Sequence, residues 1–419
     1  MREHPRPPLP RASRRLLESL RNAGLLRRRD GANDPVFPLP DKRVDERHTV
    51  FARMARRQGT PAYTDYYTRW PDRQKTDDRL RSRPELCQPG GKHYREAPAA
   101  AAEHWFNLIP GIRPDTTLVQ KLATEIGTAK DIADGVQKAC TELGAVAAGC
   151  APLDQAFLYS TRGRHDQDYG LPVTTDHRNV VVFLVEMDYD AVQHAPRIEV
   201  LLESARQYYQ AARIAILVAS ALEHMGFRSR AQYDTHYDAI LPPLAVRAGL
   251  GELGRNNILV ADRFGSRVRI GAVTTTAPLR HSRPVSLGVR QFCEACRWCA
   301  DSCPARALDS GPPSHVRGII RWTTNVERCY GYWRAAGSDC AICMAVCPFS
   351  RRNTRLHALG RWLVKNLPLS HWLLLQAHGL LYARRWRRPR KRKHACADKQ
   401  RLPKAGNALR IDVPPGRSS

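Results

Sequence analysis

The sequence predicts a mixed α/β fold carrying a separate cysteine-rich module, and three stretches predict it. Residues 179–187 read NVVVFLVEM, a continuous apolar run rich in β-branched side chains, as expected of a strand buried on both faces. Residues 198–225 (IEVLLESARQYYQAARIAILVASALEHM) keep apolar residues at helical spacing over one long stretch, and Gly226 closes it. Eight of the twelve cysteines fall within residues 293–347.

Taken in order, residues 1–50 are rich in Arg and Pro and read as a flexible basic leader. Ser13-Arg14-Arg15 invites comparison with a twin-arginine export signal, but Glu18, Arg21, Arg27, Arg28 and Arg29 break the apolar stretch such a signal needs. A short basic helix over 16–26 is expected instead. Residues 51–285 form the expected α/β domain. Tyr63, Tyr66, Tyr67 and Trp70 offer packing anchors near its start. A helical pattern follows over 117–150, closed by Gly144 and Gly149, and a short helix is expected to 248. Strands are expected over 257–260 and 267–276. Strands alternating with helices give an α/β layer packed beside the cysteine module, which spans 286–350.

Residues 351–390 read as an apolar helical hairpin broken at Pro368, too interrupted to span a bilayer. A flexible basic tail over 391–419 is expected beyond it. The chain carries 67 Lys and Arg against 40 Asp and Glu, a net charge of +27 concentrated at its two ends. The run RRWRRPRKRK at 384–393 suits an anionic surface. A solvated tail explains it more simply, so a nucleic-acid partner is not expected, while peripheral contact with a membrane stays open.

The cysteine spacing has a chemical reading. Cys293, Cys296, Cys299 and Cys303 run C-x2-C-x2-C-x3-C, followed by Pro304. Cys329, Cys340, Cys343 and Cys347 run C-x10-C-x2-C-x3-C, followed by Pro348. This is the spacing of two-cluster bacterial ferredoxins, in which the last cysteine of each run serves the other cluster. Cys293, Cys296 and Cys299 would then hold one 4Fe–4S cluster with Cys347. Cys329, Cys340 and Cys343 would hold the second with Cys303. Disulfides suit small secreted scaffolds, and zinc prefers paired C-x2-C units, so neither fits as well. Cys87, Cys140, Cys150 and Cys396 are scattered and read as packing or free thiols.

No phosphate-binding loop is present. Gly249-x-Gly251-x-x-Gly254 follows a helix and precedes a strand, the reverse of the dinucleotide-binding order. Such a loop would let backbone approach a large flat cofactor.

Residues 248–279 (AGLGELGRNNILVADRFGSRVRIGAVTTTAPL) and 328–350 (RCYGYWRAAGSDCAICMAVCPFS) resemble blocks of the corrinoid-dependent reductive dehalogenases. The long helix with its Tyr-Tyr pair, followed by GFRSRA, is similar to the family helix that carries a catalytic tyrosine. The resemblance covers roughly residues 80–390. It implies a nitroreductase-like cobalamin-binding core, α/β or α+β, with a two-cluster ferredoxin-like domain. It also implies base-off cobalamin, reduced through two 4Fe–4S clusters, and reductive cleavage of the carbon–halogen bond of an organohalide, halogenated aromatics being the expected substrates. Tyr209 is expected to supply the proton, with Arg267 or Arg269 as its cationic partner or a site for the halide. Gly249, Gly251, Gly254, Arg255, Asn256 and His236 are the expected corrinoid contacts. The D-x-H-x-x-G signature of histidine-on corrinoid proteins is absent around Asp234 and His236.

With no fused reductase domain in the sequence, a separate electron donor such as a ferredoxin or flavodoxin is expected. Cluster thiolates call for a reducing compartment, hence the cytoplasm. Two rival readings remain: an epoxyqueuosine reductase-like tRNA-modification enzyme and an iron–sulfur electron-transfer protein. Against the first, the loop reads Gly251-Glu252-Leu253-Gly254-Arg255-Asn256 instead of G-W-x-G-K-N, and the second block ends Cys-Pro-Phe-Ser instead of Cys-Pro-Trp-Asn. Against the second, about 200 residues of α/β structure ahead of the cysteines exceed what a wire requires.

Overall fold

The structure is a computed structural model that describes residues 38–122 and 127–386. The helix expected over 16–26, the tail 391–419 and most of the basic run at 384–393 lie outside the described residues.

The core is a four-stranded antiparallel sheet in the order β1-β2-β6-β3. Its strands are β1 (Ala147–Pro152), β2 (Asn179–Glu186), β3 (Ser229–Gln232) and β6 (Val268–Thr275). Two short strands, β4 (Glu252–Leu253) and β5 (Leu259–Val260), pair with each other between β3 and β6 in the chain. Strand β2 was expected at this place, and its side chains alternate between two cores. Val181, Phe183 and Val185 pack under the long helix Ile198–His224 and the helix Ala129–Glu142. Val180, Val182 and Leu184 pack against the helix Leu241–Arg247. Burial on both faces is why the run is apolar at every position.

Two expectations are corrected here. Gly149 does not end a helix: the helix stops at Glu142, and Gly149 sits in β1 opposite Val182. Residues 38–50 are no flexible leader. Val44 bridges Tyr159, the Arg43 guanidinium donates to the Val173 carbonyl at 2.7 Å, and the buried Glu46 carboxylate accepts from the Gly163 amide at 2.7 Å.

The cysteine segment is clamped between the sheet and two further layers. Helices Val50–Ala55, Pro61–Arg69 and Pro71–Arg81 carry a tyrosine cluster of Tyr63, Tyr66 and Tyr67. From this layer buried Arg53 reaches Asp77 at 2.7 Å and Glu327 at 2.5 Å, the latter on the cysteine-segment helix Val326–Ala336. Arg334 of that helix returns a bond to the Pro84 carbonyl at 2.6 Å. On the other side lies the expected hairpin, Arg355–Asn366 and His371–Trp386, turning at Pro368. No described helix is long and apolar enough to cross a membrane.

Candidate iron–sulfur and tyrosine site

The first cysteine group lines one small cavity. Cys293, Cys296, Cys299 and Cys347 face it together with Phe292, Phe349, Arg255 and Asn256. Cys303, Cys329, Cys340 and Cys343 form a second neighbourhood. Burial raises the pKa of Cys329 to about 11 and of Cys340 to about 12, and the negative charge of Cys303 acts on both in the same direction. Cys343 feels Cys340, Cys299, Cys329 and Cys303, so the two groups adjoin. Among the described residues no three His, Cys, Asp or Glu side chains converge closely enough for a single metal ion. The cysteines ring a space instead. Buried thiols of this kind stay neutral unless a cation compensates the thiolate, which an iron cluster does.

Arg255 explains how the first loop is held. Arg255 is 2% exposed. It donates to the carbonyls of Cys293 (2.8 Å), Cys296 (3.0 Å), Glu294 (3.3 Å), Asp309 (3.2 Å) and Gly311 (2.8 Å). It also lies 4.7 Å from the centre of the Trp322 ring. Expected as a corrinoid contact, Arg255 is spent on the cysteine loop, where its planar fork of donors gathers carbonyls that would otherwise repel one another. Asn256 lines the same cavity, and its Oδ1 accepts from the Ile258 amide at 3.3 Å.

The glycine loop is likewise turned inward. Gly251 has φ +157°, and a Cβ there would fall 2.3 Å from the Val260 carbonyl oxygen; at Gly249 (φ +76°) it would fall 2.4 Å from the Arg283 oxygen. Gly254 would meet Asn256 Oδ1 at 3.0 Å. The backbone that approaches these glycines closely is the protein's own. His236 lies in the 234–237 segment. It stacks on Tyr233 at 4.8 Å and shares a hydrogen bond with Thr235 Oγ1 at 2.8 Å, and burial lowers its pKa.

Tyr208 and Tyr209 diverge as successive helix residues must. Tyr209 packs on Trp105 with ring centres 5.1 Å apart. Tyr208 faces Arg269, whose guanidinium lies 4.8 Å from its ring centre. The structure therefore gives the cationic partner to Tyr208, where Tyr209 was expected. Burial raises the Tyr208 pKa and Arg269 pulls it down, with burial the larger effect. Arg269 Nη2 also donates to Ser204 Oγ at 2.6 Å and to Asp339 Oδ2 at 3.0 Å. Asp339 directly precedes Cys340. Arg269 Nε and Asp339 Oδ1 are buried with no hydrogen-bond partner among the described residues. The sequence carried no signal for Asp339 beyond its place beside a cysteine. Arg267 is remote in role: it bonds Glu186 at 2.9 Å, the Met187 carbonyl at 2.6 Å and the Ser350 carbonyl at 3.0 Å.

Comparisons with known proteins bear on this arrangement. Residues 292–350 match the family model for a 4Fe-4S dicluster domain. The chain is 31% identical over 274 residues to a tetrachloroethene reductive dehalogenase of Desulfitobacterium hafniense, covering 54% of this chain and 49% of that one. A tetrachloroethene reductive dehalogenase of Sulfurospirillum multivorans is 30% identical over 215 residues, 48% of this chain and 42% of that one. An epoxyqueuosine reductase of Lactococcus garvieae is 29% identical over 120 residues, 27% of this chain and 33% of its own length. Among solved structures, the catabolic reductive dehalogenase NpRdhA in complex with 3-bromo-4-hydroxybenzoic acid aligns with TM-score 0.66 at 22% identity, over 85% of this chain and 49% of that one.

Fold and cysteine module thus define a 4Fe–4S protein of mixed α/β architecture with the reductive dehalogenase fold. In sequence the chain is related to the reductive dehalogenases and, over a shorter stretch, to the epoxyqueuosine reductases. It spans about half the length of the curated dehalogenases it matches.

Proposed function

We propose that the chain is a reductive dehalogenase that replaces a carbon-bound halogen by hydrogen, using two 4Fe–4S clusters and a corrinoid. The observation that carries this reading is the line Tyr208–Arg269–Asp339–Cys340, which sets a proton-bearing phenol beside the cysteine module. The two cysteine groups fit clusters in number, burial and pairing across the two runs. A corrinoid, base-off as in the family resemblance, would supply the low-potential cobalt that cleaves the carbon–halogen bond. Arg269 Nε and Asp339 Oδ1, buried and unpartnered beside Tyr208, are polar groups that would help hold it.

The chain's own contribution is then proton supply and positioning. Tyr208, with its pKa raised by burial, keeps its proton at neutral pH and delivers it from Oη when the carbon gains electrons. Arg269 stabilises the phenolate left behind and is held in place by Ser204 and Asp339. Two electrons, one proton and the organohalide give the reduced product and halide. The electrons come from a separate donor such as a ferredoxin or flavodoxin. Cluster assembly in a reducing compartment suits the cytoplasm.

The test is anaerobic reconstitution with iron, sulfide and cobalamin, then elemental analysis and assay. About eight irons and one cobalt per chain are expected for two cubane clusters and one corrinoid. Halide release is then measured from 3-bromo-4-hydroxybenzoic acid, as a halogenated aromatic, and from tetrachloroethene. Iron without cobalt would leave an electron carrier. Turnover of epoxyqueuosine tRNA without halide release would assign the chain to the other related family.

A further inference from the structure

The C-terminal hairpin presents a face that nothing in the described residues covers. Its inner side is anchored. Val364 is buried, His371 meets Phe292 edge-on at 5.3 Å, and His378 meets Trp298 at 5.1 Å. The hairpin carries eight of the fifteen large hydrophobic residues exposed among the described residues, of which Leu356, Leu359 and Leu381 line a groove with Phe292 and Phe349. Away from that groove Leu369 is 76% exposed and Leu380 85%, with Trp372 and Leu373 also exposed. Scattered exposed leucines are ordinary, but this concentration is a patch.

Charge decides what the patch fits. From residue 340 to residue 397 the sequence holds no Asp or Glu. Arg355 and Lys365 are exposed on the first helix, and eight of the ten residues 384–393 are basic. A second copy of the same face would bring like charges together. An anionic bilayer supplies both things the face lacks, diffuse negative charge and an apolar layer deep enough for leucine and tryptophan side chains. Tryptophan at the rim of such a layer sits where its ring is half wet.

We propose that this hairpin lies in the plane of an anionic membrane, inserting Leu369, Trp372, Leu373 and Leu380 while its arginines and lysines meet the lipid phosphates. The inference is independent of the reaction assigned above.

The experiment is co-sedimentation of the full-length, iron–sulfur-reconstituted protein with phosphatidylglycerol-containing vesicles and with pure phosphatidylcholine vesicles. Binding to the anionic vesicles alone, weakened at high salt, is the expected result. The variant Leu369→Ser/Trp372→Ser/Leu373→Ser/Leu380→Ser should bind at least about tenfold less, given roughly 0.8 kcal/mol for each buried methylene. Unchanged iron content and cluster absorption show that this variant is folded, and Leu380→Ser alone, with a smaller loss, serves if it is not. Equal binding to both vesicle types, no binding to either, or full retention by the variant overturns the proposal. So does retention on an immobilised acidic ferredoxin by a protein that ignores vesicles, since the face would then be a docking surface for a protein.

Discussion

Asp339 Oδ2 accepts from Arg269 Nη2 at 3.0 Å, and the pair joins strand β6 to the loop that presents Cys340. Both partners are largely buried, with side chains 16% and 6% exposed. Asp339→Asn would leave the guanidinium without its countercharge, a loss of about 3 kcal/mol or more for a buried pair. We expect a lower urea midpoint and, at permissive temperature, faster loss of cluster absorption. A midpoint equal to that of the wild type would show the pair to be idle.

The two adjacent tyrosines give a sharper comparison. Tyr208→Phe should lower halide release by about 10²- to 10⁴-fold, the usual worth of a positioned proton donor, with iron content unchanged. Tyr209→Phe keeps the contact with Trp105 and should retain activity within a few-fold. The reverse ranking in a single-turnover assay would return the role to Tyr209.

Arg255→Lys keeps a positive charge but removes the fork that gathers five carbonyls around the first cysteine loop. The reconstituted variant is expected to lose about half of its iron, since the second cysteine group lies outside this network. Iron analysis beside the electron paramagnetic resonance spectrum of the reduced protein would show whether one cluster or neither is missing.

His48 offers a pH handle. Its ring meets Trp70 edge-on at 4.6 Å and its Nδ1 lies 3.1 Å from Tyr66 Oη. Burial, aided by the charge of Arg73, holds its pKa down to about 4. The unfolded chain takes up this proton near pH 6.5, and the folded chain resists it until about pH 4. Stability is therefore full above about pH 6.5 and falls as the pH drops toward 4. His48→Gln should flatten the decline in urea midpoint between pH 7.5 and 5; an identical slope would exclude His48 as its source.

Gly251→Ala tests the inward-turned loop without touching any proposed ligand. The added Cβ would need to sit 2.3 Å from the Val260 oxygen at φ +157°. Destabilisation of roughly 2 kcal/mol or more is expected from the clash and strain, read as a drop in thermal midpoint of the cofactor-free chain as well.

Much of the architecture was legible because it rests on local pattern. Strand β2 declared itself through eight residues without a polar interior position, and the long helix through its spacing and Gly226. Strand β1 was lost because AAGCAP has no β-branched residue and carries Gly and Pro; its strand character comes from pairing with β2. Residues 38–50 looked like a leader because their anchors are polar: Arg43 and Glu46 are held by backbone groups more than a hundred residues away. The cysteines were legible through spacing alone. The choice between Tyr208 and Tyr209 was not, since it depends on the direction from which β6 brings Arg269. Arg255 and the glycines were singled out by position, yet their partners lie in segments that only the tertiary fold brings near.

Arg255 also says something about the order in which the protein is made. The first two cysteines of the module are held at their carbonyls by a side chain translated some forty residues before them, itself beside the β4–β5 turn. A fragment beginning at the cysteine runs would have the right thiols and no template. The first cysteine loop thus takes its shape only once the sheet that carries Arg255 has folded.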